Sequence, residues 1–128
     1  MNFLEKDYPY QDESYEIIGL CMEVHWVLGP GLLEIVYKDA LEYELKSRKI
    51  KFEREKKYEV EYKEIILPHH FYADFVINNK IILEIKAQTG VANEHYAQVI
   101  NYLAISKCKV GLIVNFGEKS LVHKRVVL

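Results

Sequence analysis

The stretch 71–86 limits the fold of this chain more than any other part of the sequence. It reads FYADFVI, then NNK, then IILEIK. Two runs of β-branched and aromatic residues flank a short polar turn, which predicts a β-hairpin. Side chains alternate between the two faces of a strand, so Asp74 lies on one face of the first strand, and Glu84 and Lys86 share one face of the second.

The length of the turn decides whether the faces of the two acids coincide. A three-residue loop over 78–80 is a common hairpin length, and asparagine tolerates left-handed backbone geometry. This loop places Asp74 directly opposite Glu84, whereas a two-residue loop places the two acids on opposite faces. Both registers are open from the sequence alone.

Two opposed carboxylates in an apolar hairpin need an explanation. Like charges across a strand pair destabilise a sheet by up to about 1 kcal/mol, and burial increases the penalty. A bound cation removes the conflict, and carboxylate oxygens suit Mg2+ or Mn2+. In the alternative interpretation Asp74, Glu84 and Lys86 form a solvated outer face with one salt bridge.

The composition indicates one compact domain. The chain has 128 residues, half of them hydrophobic, and a formal net charge of −2. No apolar run reaches the length of a membrane span, and the N-terminal segment lacks the regions of a signal peptide. We therefore expect a lead-in over 1–12, a single domain over 13–128, a cytoplasmic location and no membrane contact. The near-neutral charge argues against a tight, non-specific nucleic-acid binder, but not against an enzyme with clustered acids.

Hydrophobic spacing predicts an α/β domain with a mixed sheet flanked by helices, in the order α-α-β-β-β-α-β-β. Residues 51–57 read as a charged entry and residues 65–70 as a connection into the hairpin. The strand after the third helix is expected to pair in parallel with the strand of Glu84, and the last strand to form an edge. The predicted helices cover 15–28, 32–49 and 91–106, and the predicted strands cover 58–62, 71–77, 81–86, 109–115 and 121–127.

Three further polar side chains lie at helical spacing beside apolar stripes. Glu34 opens the second helix and follows the edge of its apolar stripe, where it can also complement the helix dipole. Gln98 and Tyr102 lie one turn apart on the third helix and can reach the same point. Each of the three can equally be an ordinary polar residue at the edge of the core.

These residues together resemble the PD-(D/E)xK nuclease superfamily, and in particular its branch named for a GxxExxY motif. Residues 31–37 (GLLEIVY) match that motif, and Asp74 followed by residues 84–86 (EIK) matches the D…ExK signature. Residues 98–102 (QVINY) match the QxxxY helix of RecB-like members, and residues 110–116 (VGLIVNF) are also similar to the branch. The resemblance covers nearly the whole chain from about residue 15, and it implies a restriction-endonuclease-like core.

The resemblance implies that Glu34, Asp74 and Glu84 converge on one Mg2+ or Mn2+ ion, with Lys86 beside it. The implied reaction is hydrolysis of phosphodiester bonds in nucleic acid, with DNA preferred to RNA. Such an ion activates its bound water and polarises the phosphoryl oxygen, while a lysine can position water or stabilise the charge of the transition state.

Gln98 and Tyr102 complete the implied set as supporting residues. Gln98 would orient the water or the phosphate, and Tyr102 would support Gln98 or Lys86. A different class of function remains open, namely a nuclease-like nucleic-acid-binding or accessory module that is inactive alone and works with a partner protein. A homodimer is a further possibility, which the sequence does not decide.

Overall fold

The computed structural model describes residues 9–128, and the elements in this part of the chain follow the predicted order. They are α1 (Gln11–Leu28), α2 (Glu34–Ser47), β1 (Phe52–Tyr62), β2 (Ile65–Ile77), β3 (Ile81–Lys86), α3 (Asn93–Ser106), β4 (Val110–Asn115) and β5 (Val122–Val127). The predicted α/β class is confirmed. Of the predicted lead-in over 1–12, residues 1–8 lie outside the described residues, and the domain limits at 13–128 stay a prediction. None of the helices in the described part is long and apolar enough to cross a membrane.

One sheet contains the five strands in the order β1-β2-β3-β4-β5. β3 and β4 are parallel, with Lys86 opposite Asn115, and the other neighbouring strands are antiparallel. The parallel pair was predicted from the helix between the two strands, and it is confirmed. β5 lies at one edge, also as predicted. The carboxyl ends of β3 and β4 therefore lie side by side.

Helices cover both faces of the sheet and divide the core in two. α1 and α2 pack on one face against side chains that include Phe75, Leu83 and Leu112. α3 packs on the other face, where its apolar residues contact Ile82 and Ile113. β3 and β4 are consequently buried on both faces, which explains their nearly continuous apolar sequences.

The β1–β2 hairpin is longer than the sequence predicts. Residues 51–57, expected as a charged entry, lie mostly in β1, and residues 65–70, expected as a connection, belong to β2. Every second residue of β1 from Phe52 to Val60 is partly buried. Arg54 and Lys56 occupy two of these inward positions. Because both residues are charged, the alternation of buried and exposed positions along the strand does not show as an alternation of apolar and polar residues in the sequence.

Both strands of this hairpin change faces at the level of Glu55. Its φ of 53° is left-handed, which is unusual for a non-glycine residue within a strand. Phe52 packs against the α1–α2 core and Tyr58 against the α3 core, although a regular strand would direct both to one face. On β2, Phe75 and Ala73 divide between the same two cores. The hairpin therefore passes from one side of the sheet to the other at this point.

The β2–β3 hairpin has the three-residue loop, which gives the one of the two possible registers that places Asp74 opposite Glu84. Both asparagines of the loop are left-handed, with φ of 53° and 57°, and the paired positions run from Ile77–Ile81 to Phe75–Leu83. The register of a two-residue loop is thereby excluded. Backbone pairing ends at Phe75–Leu83, and the next residue on each strand is one of the two predicted acids.

Candidate active site

Asp74 and Glu84 meet where β2 and β3 separate. Asp74 Oδ2 accepts a hydrogen bond from the Ile85 N–H at 2.8 Å, and Glu84 Oε1 accepts one from the Asp74 N–H at 3.2 Å. Side-chain oxygens therefore satisfy backbone N–H groups that a continued ladder would pair with carbonyls. Asp74 is 7% exposed and Glu84 is 3% exposed, so the interpretation of a solvated outer face is wrong for both acids.

This buried pair is electrostatically unfavourable when both acids are ionised. Burial, followed by the negative charge of Asp74, raises the pKa of Glu84 to about 9, and the charge of Lys86 opposes the shift. Two adjacent carboxylates in a medium of low dielectric constant cannot both ionise without a large penalty. In the absence of another cation, Glu84 therefore holds a proton near neutral pH, a perturbation that is typical of functional sites.

The turn between α1 and α2 sets the position of Glu34, which is the first residue of α2. Gly31 has a φ of 104°, a conformation that favours glycine. The Tyr37 hydroxyl accepts a hydrogen bond from the Leu32 N–H at 3.2 Å and donates one to the Gly29 carbonyl. The glycine and the tyrosine of the GLLEIVY motif thus fix the turn from which the helix bearing Glu34 begins.

Lys38 links Glu34 to the buried acids, and sequence reasoning missed it. Its Nζ lies 3.7 Å from Glu34 Oε1, 3.1 Å from Glu55 Oε1 and 2.7 Å from Asp74 Oδ1. Burial alone would lower the pKa of Lys38, but Asp74 and then Glu55 hold it above its ordinary value. The signal that was present in the sequence is the four-residue spacing from Glu34, which puts the two side chains on one helix face.

Glu55 is the second residue of the site that sequence reasoning missed. On β1 it occupies the register position opposite Asp74, between two paired positions on either side. Its left-handed φ of 53° is strained for glutamate, by about 1–2 kcal/mol, yet its carboxylate lies 3.1 Å from the Lys38 ammonium. Acids alternate along much of β1, so no pattern in the sequence distinguishes this one.

Lys86 ends β3 beside the acid pair. It is half-buried, and its charge acts on the Glu84 carboxyl. The loop after it is held by Asn115, whose Oδ1 accepts from the N–H groups of Gln88 and Gly117 at 3.1 and 3.0 Å. Asn115 Nδ2 donates to two carbonyls of the same loop at 2.8 and 3.2 Å. The buried amide thus attaches the segment after Lys86 to the end of β4.

α3 brings Tyr102 next to the acids. Its hydroxyl donates a hydrogen bond to the Tyr72 carbonyl at 2.9 Å. Burial, and then the charges of Glu84 and Asp74, raise the pKa of Tyr102 to about 12, while a side-chain hydrogen bond with Gln98 opposes the shift. Asp74 and Glu84 are thus in direct contact, Glu34 reaches Asp74 only through Lys38, and Lys86 and Tyr102 lie close enough for their charges and that of Glu84 to interact. The functional roles expected for Glu34, Asp74, Glu84, Lys86, Gln98 and Tyr102 stay predictions.

The donor chemistry of this region fits a divalent metal. Within residues 9–128, no three acidic, histidine or cysteine side chains form a ready-made metal cluster, and the Lys38 ammonium lies among three of the carboxylates. Asp74 and Glu84 nevertheless offer adjacent carboxylate oxygens, which Mg2+ and Mn2+ prefer as ligands. Their mutual repulsion is the interaction that a cation relieves. The convergence of Glu34 with them on one ion stays a prediction.

Comparisons with known proteins agree with this architecture. The family model of the PD-(D/E)XK nuclease superfamily matches residues 11–126. No curated protein matches the chain significantly. Among solved structures, one titled "Crystal structure of SSO0001" is 22% identical and superposes with a TM-score of 0.59 over 92% of this chain, which spans 59% of that protein's length. At this level of identity the likeness shows the fold.

Proposed function

The chain belongs to the PD-(D/E)XK nuclease superfamily, and we propose that it is a Mg2+- or Mn2+-dependent nuclease that hydrolyses phosphodiester bonds in DNA. The buried Asp74–Glu84 pair is the observation that carries this proposal. Burial and the charge of its neighbour raise the pKa of Glu84 to about 9, so the pair destabilises the metal-free fold. Two adjacent carboxylates of this kind can bind a divalent cation that acts on a phosphodiester substrate.

Within the superfamily we assign the chain to the GxxExxY branch. The assignment is supported by the roles of the motif residues in the turn before α2. Gly31 supplies a left-handed φ, and Tyr37 hydrogen-bonds across the turn. The motif thereby positions Glu34, whose carboxylate reaches towards the buried acids through Lys38.

The proposed ligands of the metal are Glu34, Asp74 and Glu84. When bound, the ion supplies positive charge that polarises the phosphoryl group and makes water a stronger nucleophile. Asp74 is held by the Ile85 N–H at 2.8 Å, so its carboxylate keeps one orientation without relying on the ion. Preorganisation of this kind lowers the reorganisation required in the transition state.

The positively charged Lys86 and two polar residues near the acids complete the proposed site. Lys86 carries its charge beside Glu84, where it can stabilise negative charge that develops on the phosphoryl oxygens. Gln98 is exposed and can contact substrate or water. Tyr102 is anchored to the Tyr72 carbonyl at 2.9 Å, and Gln98 lies close enough to influence the pKa of its hydroxyl.

A cleavage assay tests the proposal. Purified protein is mixed with linear, circular and single-stranded DNA and with RNA, in Mn2+ or in EDTA. We expect cleavage of DNA in Mn2+ alone, with a loss of at least about 100-fold in Asp74→Asn. Glu59→Gln, a change to an exposed acid on β1, is the matched control and should retain full activity. Equal rates for the wild type and Asp74→Asn would contradict the proposal.

Exposed apolar residues favour a second function, an accessory module that works with a partner protein or a second copy of this chain. Trp26 is 88% exposed, Val27 72% and Leu33 75%, and they flank the turn between α1 and α2. Large apolar side chains exposed around one turn are typical of a protein contact. Calorimetric binding of Mn2+ without cleavage of any substrate supports the module. Cleavage by protein that is monomeric in light scattering rules it out.

A further inference from the structure

Lys38 occupies a position that the proposed metal would need. Its ammonium lies 2.7 Å from Asp74 Oδ1 and 3.1 Å from Glu55 Oε1, with Glu34 Oε1 at 3.7 Å. The residue is 9% exposed, although long charged side chains are rarely buried unless paired. It therefore acts as the counter-ion of a carboxylate cluster in which Asp74 is buried and Glu34 and Glu55 are partly exposed.

The contrast with Lys46 shows how unusual this placement is. Lys46 belongs to the same helix, and its Nζ lies 3.8 Å from Glu42 on the exposed surface. Exposed pairs of this kind contribute little to stability or position. Lys38 instead pairs with acids from three elements: Glu34 on its own helix, Glu55 on β1 and Asp74 on β2. One ammonium thus connects three of the elements that carry the site, namely α2, β1 and β2.

Both oxygens of Asp74 are already engaged in the structure. Oδ1 pairs with the Lys38 ammonium at 2.7 Å, and Oδ2 accepts the Ile85 N–H at 2.8 Å. The Ile85 N–H is part of the backbone, whereas the lysine head is attached by a flexible stem with several rotatable bonds. Of these two partners, the ammonium is the one that can move away.

We propose that Lys38 is a tethered cation that holds Glu34, Glu55 and Asp74 together in the metal-free protein and is displaced from Asp74 when a divalent metal binds. This inference rests on the proposed function, because it concerns the same site. It gives Lys38 the role of a positioning residue. The ammonium keeps the carboxylates together in the absence of metal. The metal must then compete with the ammonium for Asp74, which lowers the affinity of the site for the metal.

Lys38→Met tests the competition, because methionine keeps an unbranched stem and removes the charge. We expect this variant to unfold at a lower temperature than the wild type without metal, yet to bind Mn2+ about tenfold more tightly in calorimetry. Lys38→Arg, which keeps a cation, should bind Mn2+ no more tightly than the wild type. Lys46→Met makes the same charge change on the exposed face of α2 and should alter the affinity less than about twofold.

A labelling experiment on the wild-type protein does not depend on whether Lys38→Met folds. Reductive methylation followed by mass spectrometry reports how accessible each lysine amine is. We expect Lys38 to be protected without metal and to be modified faster in Mn2+, while Lys46 reacts equally in both conditions. Unchanged Lys38 protection in Mn2+-saturated protein would overturn the inference.

The outcomes separate this inference from the proposed function. Equal Mn2+ affinity in the wild type and Lys38→Met, with Lys38 still protected, overturns the tethered cation and leaves the metal site intact. Weaker Mn2+ binding by Lys38→Met overturns it as well, because the lysine would then assist the ion. Absence of Mn2+ binding in every variant overturns both the metal site and the role of Lys38.

Discussion

Replacing Glu84 by glutamine is expected to remove a penalty that grows with pH in the metal-free protein. Glu84 is 3% exposed, and burial and the charge of Asp74 raise its pKa from 4.5 to about 9. The folded state therefore holds this proton more tightly than the unfolded chain. The stabilising contribution is complete below the unfolded pKa of 4.5 and is lost as the pH rises towards 9.

The size of the effect follows from proton linkage. One proton that the folded state holds and the unfolded state has lost changes the free energy of unfolding by about 1.4 kcal/mol per pH unit. Between about pH 5.5 and about pH 8.5 the upper limit is about 4 kcal/mol. Because Asp74 and Glu84 titrate as a pair and the site can relax, we expect about half of that, or about 2 kcal/mol. Glutamine resembles the protonated acid and should not show this loss.

Urea denaturation in EDTA across this pH range measures the effect. The difference in unfolding free energy between Glu84→Gln and the wild type should grow in favour of the variant by about 2 kcal/mol from the acidic to the alkaline end. Glu59→Gln, which changes an exposed acid of β1, should keep a constant difference from the wild type. A difference that stays the same at every pH for Glu84→Gln would refute the reasoning on the buried pair.

Three further substitutions test how the site is held. Asn115→Ala removes three hydrogen bonds to the loop after β3 and one to Gly117 after β4, and it should lower the free energy of unfolding by about 3 kcal/mol; a loss below about 1 kcal/mol in urea would argue against this anchor. Tyr102→Phe removes the bond to the Tyr72 carbonyl and should cost about 1 kcal/mol, and an unchanged urea midpoint would contradict that. Gly111→Val overpacks the contact of β4 with Val99, which an added Cβ would meet, and should cost about 2–3 kcal/mol; an unaltered melting temperature would show that α3 can move aside.

Sequence reasoning succeeded where one local pattern determines the structure. The polar triplet at 78–80 located the hairpin loop and left two lengths open, and its asparagines take the left-handed conformations that the three-residue loop requires. The loop then set the register, and the register put Asp74 and Glu84 at neighbouring positions. The continuous apolar run of β4 is typical of a strand buried on both faces, and β4 is buried in this way.

Sequence reasoning failed where the structure depends on contacts between distant segments. β1 carries Arg54 and Lys56 at inward positions, so its apolar period was obscured. Glu55 joins the site because β1 has a left-handed residue at the level of Asp74, which no neighbouring residue type predicts. Lys38 gave no signal beyond its spacing from Glu34, and its burial follows from three acids that meet only in the folded chain.

Crystals soaked in Mn2+ give the most direct test of the central claim, that the buried acids form a site for a divalent metal. We expect an anomalous difference peak at the carboxylates of Asp74 and Glu84, with the Lys38 ammonium moved away from Asp74. Crystals of Asp74→Asn soaked in the same way should show no such peak. A map without a peak at these carboxylates in the wild type, with Lys38 still bound to Asp74, would contradict the account.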